Sequence, residues 1–318
     1  MVINQSSAKL ERKGLNMELR PHQIKAIEMI RHSLRTGHKR PLLAAPCSFG
    51  KTITAAWLLK SAAEKGKRAI FFADRVKLID QTISAFEALG LDFGVMQAQH
   101  YQTDTSKPIQ IASIQTVARK ERKPIFDLAI VDECHTAYES LTDLMTRYDQ
   151  IPFIGLSATP YSKGLGKIYD DLLVPITTQE LLDQGYLCPV EYYGGRSVSL
   201  KGMKTKALRT GGSDYDPDAL AEAIEGDKEL AGDIVKNWLE LGIGQTIAFS
   251  PSIKHSKFLV DLFLRAGVSA AHIDGYMDED ERQMLHKAHD DGTIKILSCS
   301  RLLNTGYDAP TVLTVGAS

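Results

Sequence analysis

Residues 41–60 read PLLAAPCSFGKTITAAWLLK and carry the strongest indication of the fold class. An apolar run leads into a loop that Ser48 and Phe49 make bulkier than is usual for a phosphate loop, and a helical pattern follows the loop. Backbone N–H groups at such a helix N-terminus form a phosphate site, where Lys51 would reach the β- and γ-phosphates and Thr52 would bind Mg²⁺. The pattern GxxxxGK[ST] is met except at its first position, where Ala45 replaces glycine. Taken alone, this match leaves open a glycine-capped turn with a solvent-exposed lysine.

Two adjacent carboxylates follow a second apolar run. DLAIVDECH, residues 127–135, places Asp132 and Glu133 directly after that run. Asp132 would hold Mg²⁺, which prefers oxygen ligands, and Glu133 would orient or deprotonate an attacking water. An acidic turn at a strand end is the commoner explanation of such a pair in isolation. Because the pair comes about 80 residues after the phosphate loop, it favours a nucleotide-hydrolysing site.

Short apolar runs alternate with helical periods along the whole chain. The strand candidates are residues 68–73, 109–113, 127–132, 153–157, 246–250, 268–274 and 294–300. Their nearly continuous apolarity is typical of strands buried on both faces, and their alternation with helices indicates βαβ units. We therefore expect an α/β fold with mostly parallel sheets.

Length and composition indicate two domains. A chain of 318 residues with 43% hydrophobic content is long enough for two buried cores. Glycines and clustered polar residues mark a change of character after residue 193. We expect a polar tail at 1–16, a first lobe at 17–193, a connecting segment at 194–226 and a second lobe at 227–318.

The net charge of −1 gives no global positive field, so a nucleic-acid partner would need local basic patches. Four cysteines without a CxxC pair argue against a disulfide framework or a zinc ribbon and indicate a reducing compartment. The sequence has neither a membrane-length apolar run nor the apolar core of a signal peptide. We therefore expect a cytoplasmic protein with no membrane partner.

The DECH sequence at residues 132–135 resembles the DEAH-type motif II of superfamily 2 helicases, and the other motifs of that superfamily follow in the expected order. They are LRPHQ (19–23), APCSFGKT (45–52, motif I), ADR and DQ (73–75 and 80–81, motif Ia), SIQT (113–116, motif Ib), SATP (157–160, motif III), AFS (248–250, motif IV) and NTGYDAP (304–310, motif V). QGYLCPVEYY (184–193) is similar to the segment that closes the first lobe. The resemblance covers about residues 17–318 and is nearest to RadD-like repair helicases and the helicase subunits of type I and III restriction enzymes.

This resemblance implies two tandem RecA-like lobes of the P-loop NTPase type, with ATP and Mg²⁺ as cofactors. Catalysis is expected from Lys51, Asp132 and Glu133, with Thr52 and Asp132 on the metal. The expected nucleotide-binding residues are Arg20, Gln23, Cys47, Ser48, Phe49, Gly50, Lys51, Thr52, Gly306 and Asp308, with Gln23 on the adenine edge. His135, Ser157 and Thr159 are expected to couple the site to nucleic acid, although a histidine packed beside the strand end explains His135 equally well.

The resemblance also implies nucleic-acid contacts from Arg75, Gln115, Thr116 and Asn304. Most such contacts reach phosphate and sugar. The expected function is an ATP-dependent helicase or translocase, with DNA preferred through the nearest relatives. The alternatives are an unrelated P-loop phosphotransferase, a non-catalytic nucleic-acid-binding protein, and a translocase that moves on duplex DNA without separating strands.

Motif VI, QxxGRxxR, does not occur in the sequence. In the family its arginines reach the γ-phosphate, so we expect an incomplete second lobe and slow hydrolysis by the chain as given. A fragment of a longer protein, a partner that supplies the arginines, and an ATP- and nucleic-acid-binding protein with little turnover each explain this departure.

Overall fold

The computed structural model describes residues 9–12, 15–73, 76–96, 103–119, 124–135, 139–193, 204–207, 213–215, 228–300 and 311–317. The chain divides into two compact units, residues 1–190 and 191–318.

The first unit is an α/β structure built on a parallel sheet. Its strands are β1 (Lys9–Arg12), β2 (Leu15–Glu18), β3 (Pro41–Ala44), β4 (Ala69–Ala73), β5 (Phe93–Met96), β6 (Ile109–Ser113), β7 (Leu128–Val131), β8 (Phe153–Ser157) and β9 (Asp171–Leu173). Its helices are α1 (Pro21–Arg35), α2 (Lys51–Ala63), α3 (Val76–Ala88), α4 (Ile114–Arg119), α5 (Glu139–Arg147) and α6 (Thr178–Asp183). Seven strands form one sheet in the order β5-β6-β4-β7-β8-β3-β9, and every adjacent pair is parallel. The first two strands form a separate antiparallel hairpin.

Both faces of the seven-stranded sheet are covered by helices, which explains why its strands are mostly apolar. Phe71 faces a core that includes Ile30 of α1, Leu59 of α2 and Phe86 of α3. Its neighbour Phe72 faces the opposite core, formed with α4 and α5. Since successive side chains of a strand point to opposite faces, a strand between two cores favours apolar residues at nearly every position. Gln110 of β6 is a buried exception, and its Nε2 donates to the carbonyls of Asp104 and Lys107.

The second unit has a smaller parallel sheet of four strands. It contains β10 (Thr205–Ala207), β11 (Ser213–Tyr215), α7 (Lys228–Leu241), β12 (Gln245–Phe249), α8 (Ile253–Arg265), β13 (Ala270–Ile273), α9 (Glu279–Asp290), β14 (Ile296–Cys299) and β15 (Val312–Ala317). The sheet order is β13-β14-β12-β15, all parallel, and β10 and β11 form an antiparallel hairpin. The α/β class and the mostly parallel sheets predicted from the sequence are confirmed.

The strand order of the first unit determines where its motifs meet. In this order β7, β8 and β3 are adjacent. Residues 45–52 follow β3, residues 132–135 follow β7, and residues 158–160 follow β8. Because the carboxyl ends of parallel strands lie at the same edge of a sheet, where α/β proteins bind their ligands, these three loops converge there.

Candidate functional site

The loop between β3 and α2 has the backbone geometry of an anion site. Ser48 has a φ of 61° and Gly50 a φ of 85°, both in the left-handed region. Gly50 is the N-cap of α2, and no described side chain caps the helix, so its first N–H groups are available to a ligand. A Cβ at Gly50 would lie 2.3 Å from Nε2 of Gln23, so a larger residue there would displace the Gln23 amide as well as strain the backbone. Phe49 is fully buried, which keeps its ring out of the phosphate position.

Three side chains at the start of α1 lie within hydrogen-bonding distance of the backbone carbonyl groups of this loop. Arg20 Nη1 donates to the carbonyl of Ser48 at 3.0 Å. Gln23 Nε2 donates to the carbonyls of Phe49 and Gly50, at 3.2 and 3.3 Å. His22 Nε2 lies 3.1 Å from the same Phe49 carbonyl. The sequence pattern predicted Arg20 and Gln23 for the nucleotide site but not His22, whose only signal was its position inside LRPHQ.

The lysine of the loop reaches the carboxylate that follows β7. Lys51 Nζ lies 2.5 Å from Glu133 Oε1, and both side chains are half-buried. Glu133 has a φ of 46°, a strained conformation for a residue other than glycine. The left-handed backbone turns its carboxylate back toward the loop after β3. The structure therefore brings together two residues that the sequence predicted for one catalytic site.

A chain of polar contacts continues from Glu133 to the loop after β8. His135 Nδ1 lies 3.3 Å from Glu133 Oε2 and 3.2 Å from Ser157 Oγ. The backbone N–H of Thr159 donates to Ser157 Oγ at 3.0 Å. Ser157 is fully buried, so its hydroxyl is held between these two partners. A change at Glu133 thus has a direct route through His135 to the loop after β8.

Asp132 directly precedes Glu133, and its carboxyl group is largely buried. Burial raises the pKa of its carboxyl group above the ordinary value, while the positive charge of Lys51 opposes that shift and the negative charge of Glu133 adds to it. Asp132 Oδ1 accepts the backbone N–H of Glu133 at 3.0 Å. Asp132 and the hydroxyl of Thr52 are oxygen ligands of the kind Mg²⁺ prefers, and a cation would offset the desolvation of the carboxylate. The residues present therefore fit a magnesium–nucleotide complex.

We expect Asp132→Asn to stabilise the ligand-free protein at neutral pH by about 1 kcal/mol. A raised pKa means that ionisation of Asp132 costs the folded state, so this cost is absent at low pH and grows as pH rises through the carboxyl range. Asparagine removes the charge and keeps the acceptor for the N–H of Glu133. Urea unfolding of the variant and the wild type between pH 4 and pH 7 measures the difference.

We expect Mg²⁺ and ATP to stabilise the same variant less than they stabilise the wild type. Asp127→Asn is the matched control, because burial is not the main influence on Asp127, whose pKa is lowered by hydrogen bonds from Arg68 and Lys67. A variant Asp132→Asn that is less stable than the wild type at pH 7 and equal to it at pH 4 would contradict the assignment.

Cys134 separates the acidic pair from His135 and does not share their environment. Burial raises the pKa of its thiol to about 12. Its sulfur and the ring of Tyr169 pack against Gly155, where a Cβ would lie within 2.8 Å of both. Cys134 is therefore a core residue beneath the site, whereas Cys47 in the phosphate loop is exposed.

Some of the remaining predicted residues lie in the described part of the chain, and others do not. Gln115 and Thr116 lie at the start of α4, directly after β6, and Thr116 N donates to Ser113 Oγ at 3.1 Å. This places them at the same sheet edge as the phosphate loop. Four predicted residues lie outside the described part of the chain: Arg75, Asn304, Gly306 and Asp308.

None of the described helices combines the length and the apolarity needed to cross a bilayer.

Two family models match the chain, one on each unit. Residues 16–162 match the model described as "Type III restriction enzyme, res subunit", and residues 231–316 match "Helicase conserved C-terminal domain". The first match contains the phosphate loop, the acidic pair and the loop after β8.

Curated relatives are similar over most of this chain. A 51.5 kDa protein of a Lactococcus phage is 27% identical over 85% of this chain and 56% of its own length. The type I restriction enzyme EcoAI endonuclease subunit of Escherichia coli is 27% identical over 68% of this chain and 29% of its own length. The chain thus spans about half, or less, of these two relatives.

Solved structures share the fold at low sequence identity. The Hef helicase domain of Pyrococcus furiosus has a TM-score of 0.57 and 14% identity, over 95% of this chain and 91% of that domain. Dbp5 L327V of S. cerevisiae, in a structure bound to RNA and ADP BeF3, has a TM-score of 0.53 and 15% identity, over 93% of this chain and 78% of that one.

Proposed function

We propose that this chain, which belongs to the superfamily 2 helicases of the restriction-subunit type, couples ATP hydrolysis to movement on DNA. One observation carries the proposal. Lys51 Nζ and Glu133 Oε1 are 2.5 Å apart at the open N-terminus of α2. A cation for phosphates and a carboxylate for water therefore meet where backbone N–H groups are available to an anion.

The contact between Lys51 and Glu133 in the ligand-free protein suggests how the residues of the site would act. The ammonium of Lys51 and the N–H groups of residues 50–52 would bind phosphate oxygens, and Thr52 and Asp132 would hold Mg²⁺. The metal would supply charge neutralisation at those oxygens. When Lys51 binds the phosphates, the carboxylate of Glu133 would orient a water and accept its proton. Glu133 and His135 are in contact, so this change would also alter the contact of His135 with Ser157.

Nucleic acid is proposed to bind at the carboxyl edge of the sheets. Gln115 and Thr116 lie after β6 at this edge in the first unit. Arg75 and Asn304 are proposed to join them. DNA is the preferred substrate because the similar E. coli protein is a restriction endonuclease subunit. ATP hydrolysis would be coupled to movement if the bound nucleotide changed the affinity of the protein for the DNA strand. A ligand shifts a conformational equilibrium only when it binds the two conformations with different affinity.

We test the function by measuring phosphate release and strand affinity on the purified chain. Single-stranded DNA, duplex DNA and RNA are compared, each with ATP–Mg²⁺ and with a non-hydrolysable ATP analogue. The expected result is that DNA increases phosphate release above the slow basal rate expected without motif VI, and that the analogue changes DNA affinity by about tenfold, a typical allosteric coupling factor. If no nucleic acid changed turnover and the analogue left every affinity unchanged, an unrelated P-loop phosphotransferase would be the better explanation.

A further inference from the structure

Tyr276 lies in the turn between β13 and α9 and is 90% exposed. The turn follows β13 directly, so it lies at the carboxyl edge of the four-stranded sheet, the edge at which α/β proteins bind their ligands. A single exposed aromatic residue is common on protein surfaces and needs no explanation by itself. The residues that hold the turn in place distinguish Tyr276 from such a residue.

The turn is anchored on both sides of Tyr276. Asp274 Oδ1 accepts the backbone N–H of Tyr276 at 2.8 Å, and the Asp274 carboxylate also accepts the N–H of Met277. Met277 packs against the core of the second unit, which contains Ile273 and Leu297. Because the residue before and the residue after are both held against the body of the unit, the exposed ring is carried on a fixed backbone.

A chain of buried polar side chains holds the Asp274 carboxylate. His272 Nε2 lies 2.9 Å from Asp274 Oδ2, and His272 Nδ1 lies 2.7 Å from the hydroxyl of Ser256 in α8. The Ser256 hydroxyl lies 2.7 Å from that of Ser298 in β14, and all four residues are buried. The hydrogen bond from His272 is the main cause that lowers the pKa of Asp274. Since an ionised carboxylate can only accept, Nε2 of His272 carries a proton.

This polar chain contributes more to geometry than to stability. Burial of polar and charged side chains has a desolvation cost that an apolar core avoids, so a buried ion pair is weak evidence for stability. A fully paired chain of this kind permits one arrangement of its members. It connects α8 and β14 to the end of β13. The chain therefore fixes the direction of the Asp274 carboxylate and, through it, the backbone of the turn that carries Tyr276.

The charges next to Tyr276 determine which part of a nucleic acid could meet its ring. The first turn of α9 carries three exposed carboxylates, at residues 279–281. They repel phosphate, so the uncharged face of a base is the better partner at this position. Every base has such a face, and stacking on an aromatic side chain requires no particular sequence. In a duplex the bases are stacked on one another and must be extruded before a protein can reach them.

We propose that Tyr276 stacks on a base of single-stranded DNA and that the polar chain from Ser298 to Asp274 positions its ring. The inference rests on the proposed function, because it requires that the protein bind DNA, and it names the unpaired strand as the substrate class. Ser256, His272 and Asp274 are positioning residues, since they act on the base through the backbone of the turn. Loss of the ring therefore weakens binding of an unpaired strand and leaves binding of a duplex unchanged.

The test compares one labelled DNA strand alone and annealed to its complement, with dissociation constants measured by fluorescence anisotropy. Tyr276→Ala is expected to weaken the single strand by about tenfold and the duplex by less than about twofold. Tyr276→Trp keeps a stacking ring and should bind the single strand within about twofold of the wild type. Leu264→Ala is the matched control, because Leu264 is an exposed apolar residue in the last turn of α8, and it should change neither constant.

The positioning role is tested with His272→Phe, which keeps a ring of similar size and removes both hydrogen bonds. We expect about threefold weaker binding of the single strand, and no further loss when the same exchange is made in Tyr276→Ala. A general structural defect would weaken both backgrounds by the same factor. Ser256→Ala is a smaller exchange that interrupts the same chain and should show the same dependence on Tyr276. Thermal unfolding checks that each variant is folded at the temperature of the measurement.

The outcomes separate this inference from the proposed function. If the wild-type protein binds neither form of DNA, both fail. If it binds DNA and Tyr276→Ala matches the wild type on the single strand, the stacking role fails and the proposed function stands. Equal losses on the single strand and the duplex would also overturn stacking. Losses from His272→Phe and Ser256→Ala that are independent of Tyr276 would remove the positioning role.

Discussion

Replacing Glu133 by glutamine is expected to reduce DNA-stimulated ATP hydrolysis by about 100-fold or more, because a positioned general base contributes roughly 10²–10⁴ to the rate. Glutamine keeps the size of the side chain but cannot accept a proton from water. Binding should survive the exchange. In the ligand-free protein Glu133 lies 2.5 Å from the ammonium of Lys51, and the exchange removes the negative charge that competes with phosphate for it. We therefore expect ATP–Mg²⁺ to bind at least as tightly as in the wild type.

Phosphate release and the dissociation constant of ATP–Mg²⁺ are measured on the same preparation. Glu64→Gln is the matched control, since Glu64 is an exposed carboxylate at the other end of α2. It should leave both quantities unchanged. Turnover by Glu133→Gln equal to that of the wild type would show that Glu133 is not the base. A parallel loss of binding and turnover would assign it a structural role.

The sheets could be predicted because burial on both faces leaves a strong trace in the sequence. Residues 109–113 and 153–157 were predicted as strands, and β6 and β8 have those bounds. The two outer strands of the first sheet were not predicted. β9 has only three residues, one of them exposed, and the four residues of β5 include a glycine. Such short edge strands owe their conformation to a neighbour in the sheet, so their own sequence carries little signal.

The site was predictable in its residue types and not in its contacts. Motif order indicated Lys51 and Glu133, but their pairing joins residues 82 positions apart and depends on the left-handed backbone of Glu133. Phe49 looked like a bulky loop residue in the sequence, and the structure buries it in the core. Gln23 matched a family position, yet its partners in the loop follow from the packing of α1 against that loop. A linear pattern records none of these three-dimensional relations.

Replacing Lys51 by methionine is expected to weaken ATP–Mg²⁺ binding by about 100-fold. A charged hydrogen bond is worth roughly 1.5–3 kcal/mol, and Lys51 is the side-chain cation of the phosphate loop. Methionine keeps most of the length and apolar volume of the side chain, so the half-buried stem stays packed. Lys51→Arg should also bind weakly, because a planar guanidinium cannot replace a compact ammonium in a closely fitted loop. Calorimetry with ATP–Mg²⁺ measures both variants.

The Lys51 exchange also separates a binding defect from a folding defect. The Lys51–Glu133 pair is partly exposed, with side-chain exposures of 19% and 31%, so its loss should change the stability of the ligand-free protein by less than about 1 kcal/mol. Lys65→Met, an exposed lysine in the turn after α2, is the matched control and should bind ATP normally. Binding by Lys51→Met within about threefold of the wild type would show that Lys51 does not bind the phosphates. The positive charge that acts together with Glu133 at this site would then have to come from another residue.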